Sequence, residues 1–482
     1  MMLGRKQLLI NGEWRDAAGG KTMPVINPAT EEVIAEVAAA SPADVDAAVA
    51  AARAALGGPW GKLSGRERGR LVWKLGERLI EQIDEIARLE TLHNGKPITE
   101  SRHIEIPMAA ECLQYFAGWS DKVGGDTIPV KGNALVYTLR EPVGVVAAIV
   151  PWNFPLLLAM WKVAPALAMG NTVILKPASQ TPLTALALGQ LAIDVGFPPG
   201  VLNVITGSGS TAGQAIVEHP GIDKVAFTGD TSTGKGIMRT AAETLKHITL
   251  ELGGKSPNIV FADADLDAAV RGATVGIFYG KGEVCAAGSR LLVDKAIKDQ
   301  FISKVAERTK KMVCGDPLDP KTRLGAISSK SQLERVLNYV EIAKREGGSL
   351  VAGGSRADIG TGKGYFMQPT VFADVTPAMT IAREEIFGPV LAAIEFVDVD
   401  EAIATANASI YGLAAGVWTR DIKKAHYVAS KLQAGTVWVN TYNVYDAAAP
   451  FGGYKQSGFG REMGRHAIEY YTQTKTVWVD LT

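Results

Sequence analysis

Cys285 and Glu251 are the residues of this 482-residue chain whose surroundings most favour chemistry. Cys285 is one of only three cysteines, and it lies in a loop of small residues, 282–290, that leaves its sulfur little to pack against. A free cysteine usually behaves as a small buried hydrophobe, so the loop alone leaves packing and nucleophilic chemistry equally open. Glu251 precedes two glycines and Lys255, and a carboxylate held among glycines is open to water, which favours chemistry. A salt bridge with Lys255 is the alternative for this carboxylate.

A third polar group, the amide of Asn153, lies in a turn that follows an apolar run. The turn reads Pro151-Trp152-Asn153-Phe154-Pro155 and comes directly after residues 143–150. A rigid turn with core aromatic rings would explain the prolines and the rings, but not a polar amide between them. The amide is therefore a candidate binding group.

Short apolar runs that alternate with helical segments position these residues. The runs cover 143–150, 172–176, 201–206, 224–228 and 247–252. Continuous apolar strands joined by helices are typical of a parallel sheet covered on both faces, and a second alternation of this kind runs over 258–440. The pattern predicts two α/β lobes. Ligands in such folds bind beyond the carboxyl ends of the strands, where the polar motifs of this chain fall.

Other segments flank the two lobes. Residues 43–56 and 64–93 are rich in Ala, Leu, Glu and Arg at helical spacing, which predicts surface helices. Residues 126–140 alternate like a hairpin, and 475–481 predicts one more strand. Neither has an obvious partner in its own lobe, and isolated ribbons are marginal alone, so we expect both to bind a neighbouring subunit.

Two segments are candidates for a nucleotide site. Lys176 ends an apolar strand, where a phosphate or ribose could lie, although a lysine is more often solvated surface. Residues 227–234 join a strand to a helix, where free backbone N–H groups and the helix dipole attract an anion. Residues 207–209 look similar, but Ala212 stands where the dinucleotide fingerprint has its third glycine, so we interpret them as a turn into a helix.

Composition and charge exclude several classes of partner. The chain is 47% apolar and 21% charged, as ordinary soluble globular proteins are, and 50 basic side chains balance 50 acidic ones. No whole-chain field attracts nucleic acid or acidic lipid, and no apolar stretch is long enough for a signal peptide or a bilayer span. Cys112, Cys285 and Cys314 are too few, and odd in number, for a disulfide framework, and no pair has metal-ligand spacing. These thiols favour a reducing compartment, with the cytoplasm as the default.

Six motifs in one order resemble the aldehyde dehydrogenase superfamily, in its large non-acylating NAD(P)-dependent class. The resemblance covers essentially the whole chain, and it is carried by Pro151 to Pro155, Phe227 to Gly234, Glu251 to Lys255, the Cys285 loop, Glu384 to Pro389 and Pro450 to Lys455. It implies an α/β fold with a Rossmann-type dinucleotide-binding domain (1–123 and 143–252), an α/β catalytic domain (253–456) and a small β oligomerisation ribbon (124–142 and 467–482). The hairpin and the C-terminal strand would form that ribbon, in a dimer or a tetramer.

The resemblance implies oxidation of an aldehyde to its carboxylic acid, with Cys285, Glu251 and Asn153 as the catalytic residues. An aldehyde gives up hydride easily only after a nucleophile has made its carbon tetrahedral, which Cys285 would do as a thiolate, forming a thiohemiacetal. Its resting pKa of about 8.5 needs lowering, which nicotinamide and local N–H groups could supply. Asn153 and the Cys285 N–H would hold the oxyanion, and such a donor is typically worth about 3 kcal/mol of barrier. Glu251 would activate the water that hydrolyses the resulting thioester.

The implied cofactor is NADP, NAD or both. Cofactor-binding positions of the family carry Trp152, Lys176, Ser179, Gly229, Thr231, Leu252, Glu385 and Phe387. Lys176 matches the lysine at the adenosine ribose, and Glu385 matches the carboxylate at the nicotinamide ribose. Ser179 stands where NAD-preferring members usually carry a glutamate, and a serine does not repel a 2′-phosphate, so we expect NADP to be accepted. Asp230 replaces the usual serine of the phosphate loop, and we expect its side chain to turn away from the pyrophosphate.

Aromatic residues fall on the family's substrate-tunnel positions, namely Phe154, Trp161, Tyr279, Tyr445 and Phe451. Such rings favour apolar or aromatic aldehydes, because a tunnel of this kind has few partners for a charged tail. Members that act on carboxylate-bearing semialdehydes usually place an arginine close to the nucleophile, and residues 280–287 contain none. A benzaldehyde-like or medium-chain aliphatic aldehyde is therefore favoured over succinate semialdehyde.

Other functional classes stay open at this point. A cysteine hydrolase needs a base beside its thiol, and all six histidines lie far from Cys285 in sequence, which does not exclude contact in space. A catalytically silent scaffold would keep the fold, but the intact Cys285, Glu251 and Asn153 argue against it. Acyl transfer to coenzyme A is disfavoured, because that class typically lacks the glutamate that Glu251 supplies. The physiological aldehyde and its pathway do not follow from the sequence.

Overall fold

The computed structural model describes residues 2–482, and its strands form two large sheets and three small ones. In chain order the strands are β1 (Arg5–Lys6), β2 (Leu8–Ile10), β3 (Glu13–Arg15), β4 (Thr22–Asn27), β5 (Glu32–Ala38), β6 (Thr127–Ile128), β7 (Ala134–Pro142), β8 (Val145–Ile149), β9 (Thr172–Lys176), β10 (Leu202–Val204), β11 (Lys224–Thr228), β12 (His247–Glu251), β13 (Pro257–Val260), β14 (Arg290–Asp294), β15 (Ser349–Ala352), β16 (Thr370–Ala373), β17 (Val390–Phe396), β18 (Tyr411–Gly412), β19 (Ala414–Trp418), β20 (Thr436–Val439), β21 (Tyr454–Lys455), β22 (Gly458–Phe459) and β23 (Thr472–Asp480).

Helices connect most of these strands. In chain order the α-helices are α1 (Pro42–Gly57), α2 (Pro59–Lys62), α3 (Gly65–Glu81), α4 (Ile83–Asn94), α5 (Ile98–Glu100), α6 (Ile106–Ala117), α7 (Pro155–Ala168), α8 (Leu183–Asp194), α9 (Gln214–Glu218), α10 (Thr231–Ala242), α11 (Leu266–Phe278), α12 (Lys298–Lys310), α13 (Lys330–Arg345), α14 (Thr380–Arg383), α15 (Val399–Asn407) and α16 (Ile422–Lys431). Short π-helical turns (Ser101–Glu105 and Gly209–Gly213) and 3-10 turns (Tyr279–Gly282 and Arg465–Tyr470) add to them.

The first large sheet positions the candidate site, and its strand order is β22-β12-β11-β8-β9-β10-β2-β3. Strands β8 to β12 are parallel, and β8 pairs with both β9 and β11. All five residues of β8 are buried: Val146 and Ala148 pack in one hydrophobic core with α7, and Val145 and Ala147 pack in another with α1. Helices therefore cover both faces, as the continuous apolar runs predict. The crevice where the connections diverge, between β8 and β11, is the expected ligand site of such a sheet.

The apolar runs of the sequence locate the central strands of this sheet but not its edges. Predicted bounds 172–176 and 224–228 match β9 and β11, and the other runs differ by one or two residues at their ends. Strands β2, β3 and β22 were not predicted. They are two or three residues long, too short for a periodic pattern, and they form by antiparallel pairing with β10 and β12 or with each other. The predicted helix 64–93 is also interrupted, at Gln82 between α3 and α4.

The second large sheet holds the loop that carries Cys285. Its strand order is β15-β16-β17-β14-β13-β19-β20, and all of its pairs are parallel except that of β15 with β16. The loop follows α11 and a 3-10 turn and ends where β14 begins. The segment with Glu385 and Phe387 precedes β17, which is the parallel neighbour of β14. The Cys285 loop and this segment therefore lie at the same edge of the second sheet, where they face the first sheet.

The hairpin and the C-terminal strand are partners of each other. β7 and β23 pair antiparallel over nine residues, from Thr472 opposite Pro142 to Asp480 opposite Ala134, and β6 adds a short third strand. The family resemblance implied that the hairpin and the C-terminal strand form one ribbon, and the structure pairs them with each other. Periodicity alone gave neither strand a partner, because the two lie near opposite ends of the sequence and local patterns carry no information about such distant contacts.

Helix α7 is buried along its whole length and includes Lys162. Over residues 2–482 no helix combines the length and the apolar character needed to cross a membrane.

Candidate active site

A cavity of about 710 Å³ opens at the carboxyl ends of β8, β9, β11 and β12. Most of the predicted catalytic and cofactor residues line it: Asn153, Cys285, Trp152, Lys176, Ser179, Gly229, Leu252, Glu385 and Phe387. Glu251 and Thr231 do not line it, and neither do the five predicted tunnel aromatics. The fold therefore brings the thiol, the amide and most of the predicted cofactor positions to one cavity, whereas Glu251 and the five aromatic residues lie outside its lining.

Cys285 lies at the corner of a tight turn, in which the Ala287 N–H donates to the Val284 carbonyl at 3.0 Å. Gly254 allows this turn to approach, because a side chain there would collide with the Cys285 carbonyl. Cys285 is half-buried and lines the cavity. Burial, and then the carboxylates of Glu385 and Glu251, raise the pKa of Cys285 to about 12. The resting group is therefore a thiol, and its activation needs a nearby positive charge or a base.

No histidine supplies that base directly. None of the six histidines lines the cavity that contains Cys285, as far as residues 2–482 are concerned. His93, the buried one, bonds Glu90 and the Leu183 N–H. The arrangement of a histidine-activated cysteine hydrolase is thus not present at this thiol.

The Asn153 amide is held directly beside the Cys285 loop. Its Nδ2 donates to the Glu283 carbonyl at 2.8 Å, and its Oδ1 is buried without a hydrogen-bond partner. Asn94, at the end of α4, donates from Nδ2 to the carbonyl of Trp152 at 2.6 Å. One Nδ2 hydrogen of Asn153 bonds the Glu283 carbonyl and so fixes the orientation of the amide, and the second Nδ2 hydrogen is available to an oxygen of a ligand.

Glu251 ends β12 and is 5% exposed, with neither carboxylate oxygen hydrogen-bonded. Burial, and then the Glu462 carboxylate, raise the pKa of Glu251 well above its usual range, while Lys162 and Arg461 act in the opposite direction. The salt bridge with Lys255 that served as the alternative is not formed, because the Lys255 ammonium is buried without a partner. Burial thus makes the Glu251 carboxylate more basic than an exposed glutamate, as suits a group that accepts a proton.

Lys162 and Glu462 are functional neighbours that no sequence motif indicated. Their side chains form a buried ion pair, and the Lys162 ammonium also donates to Thr228 Oγ1 at 2.6 Å. A buried ion pair at Lys162 could have been predicted from the sequence, because a lysine within the otherwise apolar helix α7 has to find a buried partner. The role of Glu462 could not have been predicted, because Glu462 lies outside every motif and contacts Lys162 only in the folded chain.

The predicted adenosine end of the cavity contains a buried amine and a hydroxyl. Lys176 is 4% exposed, and burial lowers the pKa of its amine to about 8. The amine donates to the Pro177 carbonyl at 3.1 Å, which leaves donors available for a ligand. The Ser179 hydroxyl donates to the Gly207 carbonyl at 3.1 Å. No carboxylate occupies the position of Ser179, so a phosphate meets no negative charge there.

The sequence predicted free N–H groups at the start of α10, but two of them are already hydrogen-bonded within the chain. Asp230 caps this helix, and its carboxylate accepts from the N–H groups of Ser232 at 2.9 Å and Thr233 at 3.0 Å, as well as from both hydroxyls. Burial raises the pKa of Asp230, but these hydrogen bonds outweigh it and lower the pKa overall. The expectation was therefore wrong for these two N–H groups, because a cap within the chain already uses them. Asp230 lines the cavity, and Thr231, the next residue, does not.

Glu385 and Phe387 lie on the wall opposite the first sheet. The Gly254 N–H donates to Glu385 Oε1 at 3.0 Å, and burial raises the pKa of Glu385 to about 7. Phe387 has a left-handed φ of 62°, which is unfavourable for a bulky residue, and its ring meets that of Trp152 edge-on at 5.2 Å. Gln332 holds this strained backbone by donating to the Phe387 carbonyl at 2.6 Å.

Gln332 and Arg335 also line the cavity, and no sequence motif indicated either of them. Arg335 donates to the Glu385 carbonyl at 2.9 Å. Both belong to α13, whose polar residues are typical of an ordinary amphipathic surface helix. Gln332 and Arg335 hold the cavity wall only because the segment with Glu385 and Phe387 packs against α13 in the folded chain.

The predicted tunnel residues form a compact aromatic group next to the cavity. The rings of Trp161, Tyr445 and Phe451 lie 5.4 to 6.1 Å apart, and Phe154 stacks on Tyr279 at 6.0 Å. The two tyrosine hydroxyls point at protein groups, with Tyr279 donating to Glu105 at 3.3 Å and Tyr445 to Asn443 at 3.4 Å. The group therefore presents ring surface rather than free hydroxyls.

Comparison with known proteins gives the family. The sequence profile of the Aldehyde dehydrogenase family matches residues 14–477. The chain is 50% identical to the mitochondrial aldehyde dehydrogenase of Homo sapiens, over 98% of this chain and 92% of that one. An aldehyde dehydrogenase from Bacillus cereus, solved as an NAD+ complex, is 51% identical with a TM-score of 0.97, over 99% of this chain and 97% of that one. A variant of the indole-3-acetaldehyde dehydrogenase of P. syringae, solved with NAD+ and IAA, is 46% identical with a TM-score of 0.97, over 99% and 97% of the two chains. The chain with this cavity, this thiol and this amide belongs to the aldehyde dehydrogenase family.

Proposed function

We propose that this protein oxidises aldehydes to carboxylic acids with NAD or NADP as the electron acceptor. The observation that carries the proposal is the wall of one cavity, on which Cys285 and Asn153 lie together with Lys176, Glu385 and Phe387. A nucleophile, an amide donor and groups suited to a dinucleotide thus share one space. Membership of the aldehyde dehydrogenase family supports the same reaction.

The cavity fits a dinucleotide in size, position and lining. Its volume is about 710 Å³, and it lies where the connections of the parallel sheet diverge. Lys176 offers a buried cation to ribose or phosphate oxygens, and Glu385 offers a carboxylate to ribose hydroxyls. The Bacillus cereus relative, solved with NAD+, supports this assignment. When bound, the nicotinamide ring supplies the acceptor for the hydride that the aldehyde loses.

Cys285 and Asn153 act in the first half of the proposed reaction. Cys285 first loses its proton to solvent, and the thiolate sulfur then adds to the aldehyde carbon. The carbonyl oxygen becomes an oxyanion that the second Nδ2 hydrogen of Asn153 stabilises. Loss of hydride from this adduct leaves a thioester on Cys285. Glu251 then takes a proton from water, whose oxygen attacks the thioester carbon and releases the acid and the thiolate.

The test follows the absorbance of the reduced cofactor after aldehyde is added, with and without coenzyme A. We expect steady turnover that does not need coenzyme A, and Cys285→Ser should abolish it. Glu251→Gln should give a single burst of reduced cofactor and then stall, because the thioester is no longer hydrolysed. Normal steady turnover of Glu251→Gln would remove this residue from the mechanism, and absence of cofactor reduction in the unmodified protein would remove the proposed reaction itself.

We further propose that NADP is accepted, alone or beside NAD. Ser179 presents a hydroxyl to the cavity where a carboxylate would repel a 2′-phosphate, and Lys176 supplies a cation on the same wall. The test compares kcat/KM for the two cofactors with one aldehyde. A value for NADP one hundredfold below that for NAD would contradict the proposal.

The proposed substrates are aromatic or medium-chain aliphatic aldehydes. The aromatic group beside the thiol turns both of its tyrosine hydroxyls to protein partners, so a charged substrate tail would find few bonding groups there. The P. syringae relative is named an indole-3-acetaldehyde dehydrogenase, and an indole aldehyde agrees with an aromatic preference. The test is an aldehyde panel, and a higher kcat/KM for succinate semialdehyde than for benzaldehyde and hexanal would reverse the order.

We propose that the ribbon formed by β6, β7 and β23 joins copies of this chain in a dimer or a tetramer. Leu135, Leu139 and Val479 lie on one face of the ribbon by the alternation of its strands, and all three are exposed. An exposed apolar sheet face of this kind is typical of an interface. Light scattering after gel filtration gives the mass in solution, and Leu139→Lys should shift it to a smaller species. A monomeric unmodified protein would contradict the proposal.

A reducing compartment such as the cytoplasm is proposed for this protein. Its three cysteines, Cys112, Cys285 and Cys314, are all unpaired thiols. Proteins of oxidising compartments usually pair their cysteines. Fractionation of expressing cells tests this proposal, and recovery from an oxidising compartment would contradict it.

A further inference from the structure

A closed ring of buried polar contacts joins the two segments that form the proposed oxyanion site. The Lys281 ammonium donates to the main-chain oxygen and to Oδ1 of Asn94, both at 2.8 Å, and Asn94 Nδ2 donates to the Trp152 carbonyl at 2.6 Å. On its other side Lys281 forms an ion pair with Glu283 at 2.8 Å. The Glu283 carbonyl accepts from Asn153 Nδ2 at 2.8 Å, which closes the ring.

The ring is buried except at the half-buried Trp152, and it includes a strained backbone segment. Lys281 and Glu283 are each 1% exposed, and the second carboxylate oxygen of Glu283 accepts from the Ser328 N–H at 3.0 Å. Lys281 has a left-handed φ of 63° between Gly280 and Gly282, which are left-handed too. A non-glycine residue in this region costs about 1 kcal/mol or more, so the surrounding contacts have to impose it. The contacts of the Lys281 ammonium contribute to this, together with the bond from the Gly280 N–H to Glu100 at 3.2 Å.

A lysine suits this place for a chemical reason. Its ammonium carries three donors and no acceptor, so it can serve both oxygens of Asn94 and the Glu283 carboxylate at once. Burying such an ion without partners would be strongly unfavourable. These contacts tie the segment of Asn94 and Trp152 to Glu283, whose carbonyl accepts from the Asn153 amide.

We propose that Lys281 and Asn94 are positioning residues that hold the Asn153 amide in register with the Cys285 loop. The inference rests on the proposed function, since it concerns the oxyanion of the aldehyde adduct. A donor stabilises a developing charge most when it is held in place before the reaction, and a displacement of about 1 Å can cost about one hundredfold in rate. Neither positioning residue touches the substrate.

The test is a double-mutant cycle on the single-turnover rate of cofactor reduction. We expect Asn153→Ala to slow this step by about one hundredfold to one thousandfold, as loss of an oxyanion donor does. Lys281→Met keeps the length of the side chain without its donors, and it should slow the step by about tenfold to one hundredfold in the native background. In the Asn153→Ala background the same change should slow it by less than about threefold, because the group that Lys281 positions is already gone. The Kd of the cofactor should stay within about twofold.

Two further variants separate positioning from general loss of structure. Lys96→Met is the matched control: the Lys96 ammonium is fully buried in a neighbouring ion pair with Glu105 and makes none of the ring's contacts, and the main-chain N–H bond from Lys96 to Asn94 is kept in the variant. Its effect should be the same in both Asn153 backgrounds. Because Lys281→Met alone leaves the Glu283 carboxylate without a countercharge, the cycle is repeated with the neutral pair Lys281→Met/Glu283→Gln, which should show the same dependence on Asn153.

The possible failures are distinguishable. If Asn153→Ala keeps the full single-turnover rate, the oxyanion role in the proposed function is wrong. If Asn153→Ala is slow but Lys281→Met or the neutral pair adds its full effect to it, the positioning inference is wrong and the proposed function is untouched. A loss of thermal stability with no change in single-turnover rate would also overturn the inference, because it would make the ring purely structural.

Discussion

The cofactor-free protein should hold Cys285 almost entirely as a thiol. Burial, and then the Glu385 and Glu251 carboxylates, raise its pKa to about 12. At pH 8 the thiolate fraction is then about one in ten thousand, against about one quarter for an ordinary thiol with a pKa of about 8.5. A more basic thiolate is intrinsically more reactive, by roughly twenty-fivefold to fiftyfold for this difference. We therefore expect alkylation of Cys285 to be roughly fiftyfold to one hundredfold slower than that of free cysteine.

Alkylation by iodoacetamide, followed by peptide mass spectrometry, measures this rate for each cysteine separately. From about pH 7 to about pH 10 the rate at Cys285 should rise about tenfold per pH unit without a plateau, since the thiolate fraction rises in that proportion below the pKa. Cys314 is the matched reference in the same chain, because burial raises its pKa to about 11. Glu385→Gln removes one of the charges that disfavour the thiolate and should accelerate Cys285 severalfold without changing Cys314.

Added NAD or NADP provides the complementary measurement. A positively charged nicotinamide ring beside the sulfur favours the thiolate, so the pH dependence of Cys285 alkylation should shift to lower pH while that of Cys314 stays in place. A plateau below about pH 9 in the cofactor-free protein, or a rate at about pH 8 within threefold of free cysteine, would refute the reasoning, because either result requires a thiolate that is already stable in the resting site.

Three further predictions concern the cofactor. Ser179→Glu places a carboxylate near the 2′-phosphate and should lower kcat/KM for NADP relative to NAD by about thirtyfold, which is roughly 2 kcal/mol; an unchanged ratio would place that phosphate elsewhere. The Lys176 amine, whose pKa burial lowers to about 8, attracts a phosphate only when protonated, so the KM for NADP should rise between about pH 7 and about pH 9 more than the KM for NAD. Parallel profiles for the two cofactors would contradict a contact between Lys176 and the 2′-phosphate. Asp230→Ser keeps a helix cap while it removes a negative charge from the cavity wall, and it should lower the cofactor Kd by about fivefold, or about 1 kcal/mol, as measured by calorimetry; a weaker Kd would mean that the carboxylate assists binding.

The central strands and the motif-bearing loops could be predicted because their signals are local. β9 and β11 are five-residue strands whose three central residues are apolar and whose ends are Thr or Lys, and short apolar runs of this kind between helical segments favour buried parallel strands. The Cys285 loop and the turn at Asn153 are recognisable from residues that are neighbours in sequence. Their common order along the chain indicated the aldehyde dehydrogenase family, and the comparisons confirm that family.

Contacts between distant residues decided the rest. Glu462 lies 300 positions from Lys162 and meets it only because α7 passes beside the last turns of the chain. The pairing of β7 with β23 and the edge strands β2 and β22 likewise depend on partners that no local pattern specifies. A buried charge must find a counterion somewhere, but the sequence does not say which one.

The sequence by itself therefore determined which groups are available for chemistry: a thiol among small residues, an amide in a rigid turn and a carboxylate before two glycines. Only the tertiary structure decided their states. It buries Cys285 and Glu251 so that the pKa of each rises above its usual range, and it turns the Asp230 carboxylate onto its own helix. The physical reason is that residue type sets an ordinary pKa and a set of hydrogen bonds, whereas desolvation and the neighbouring charges, which shift them, exist only once the chain has folded.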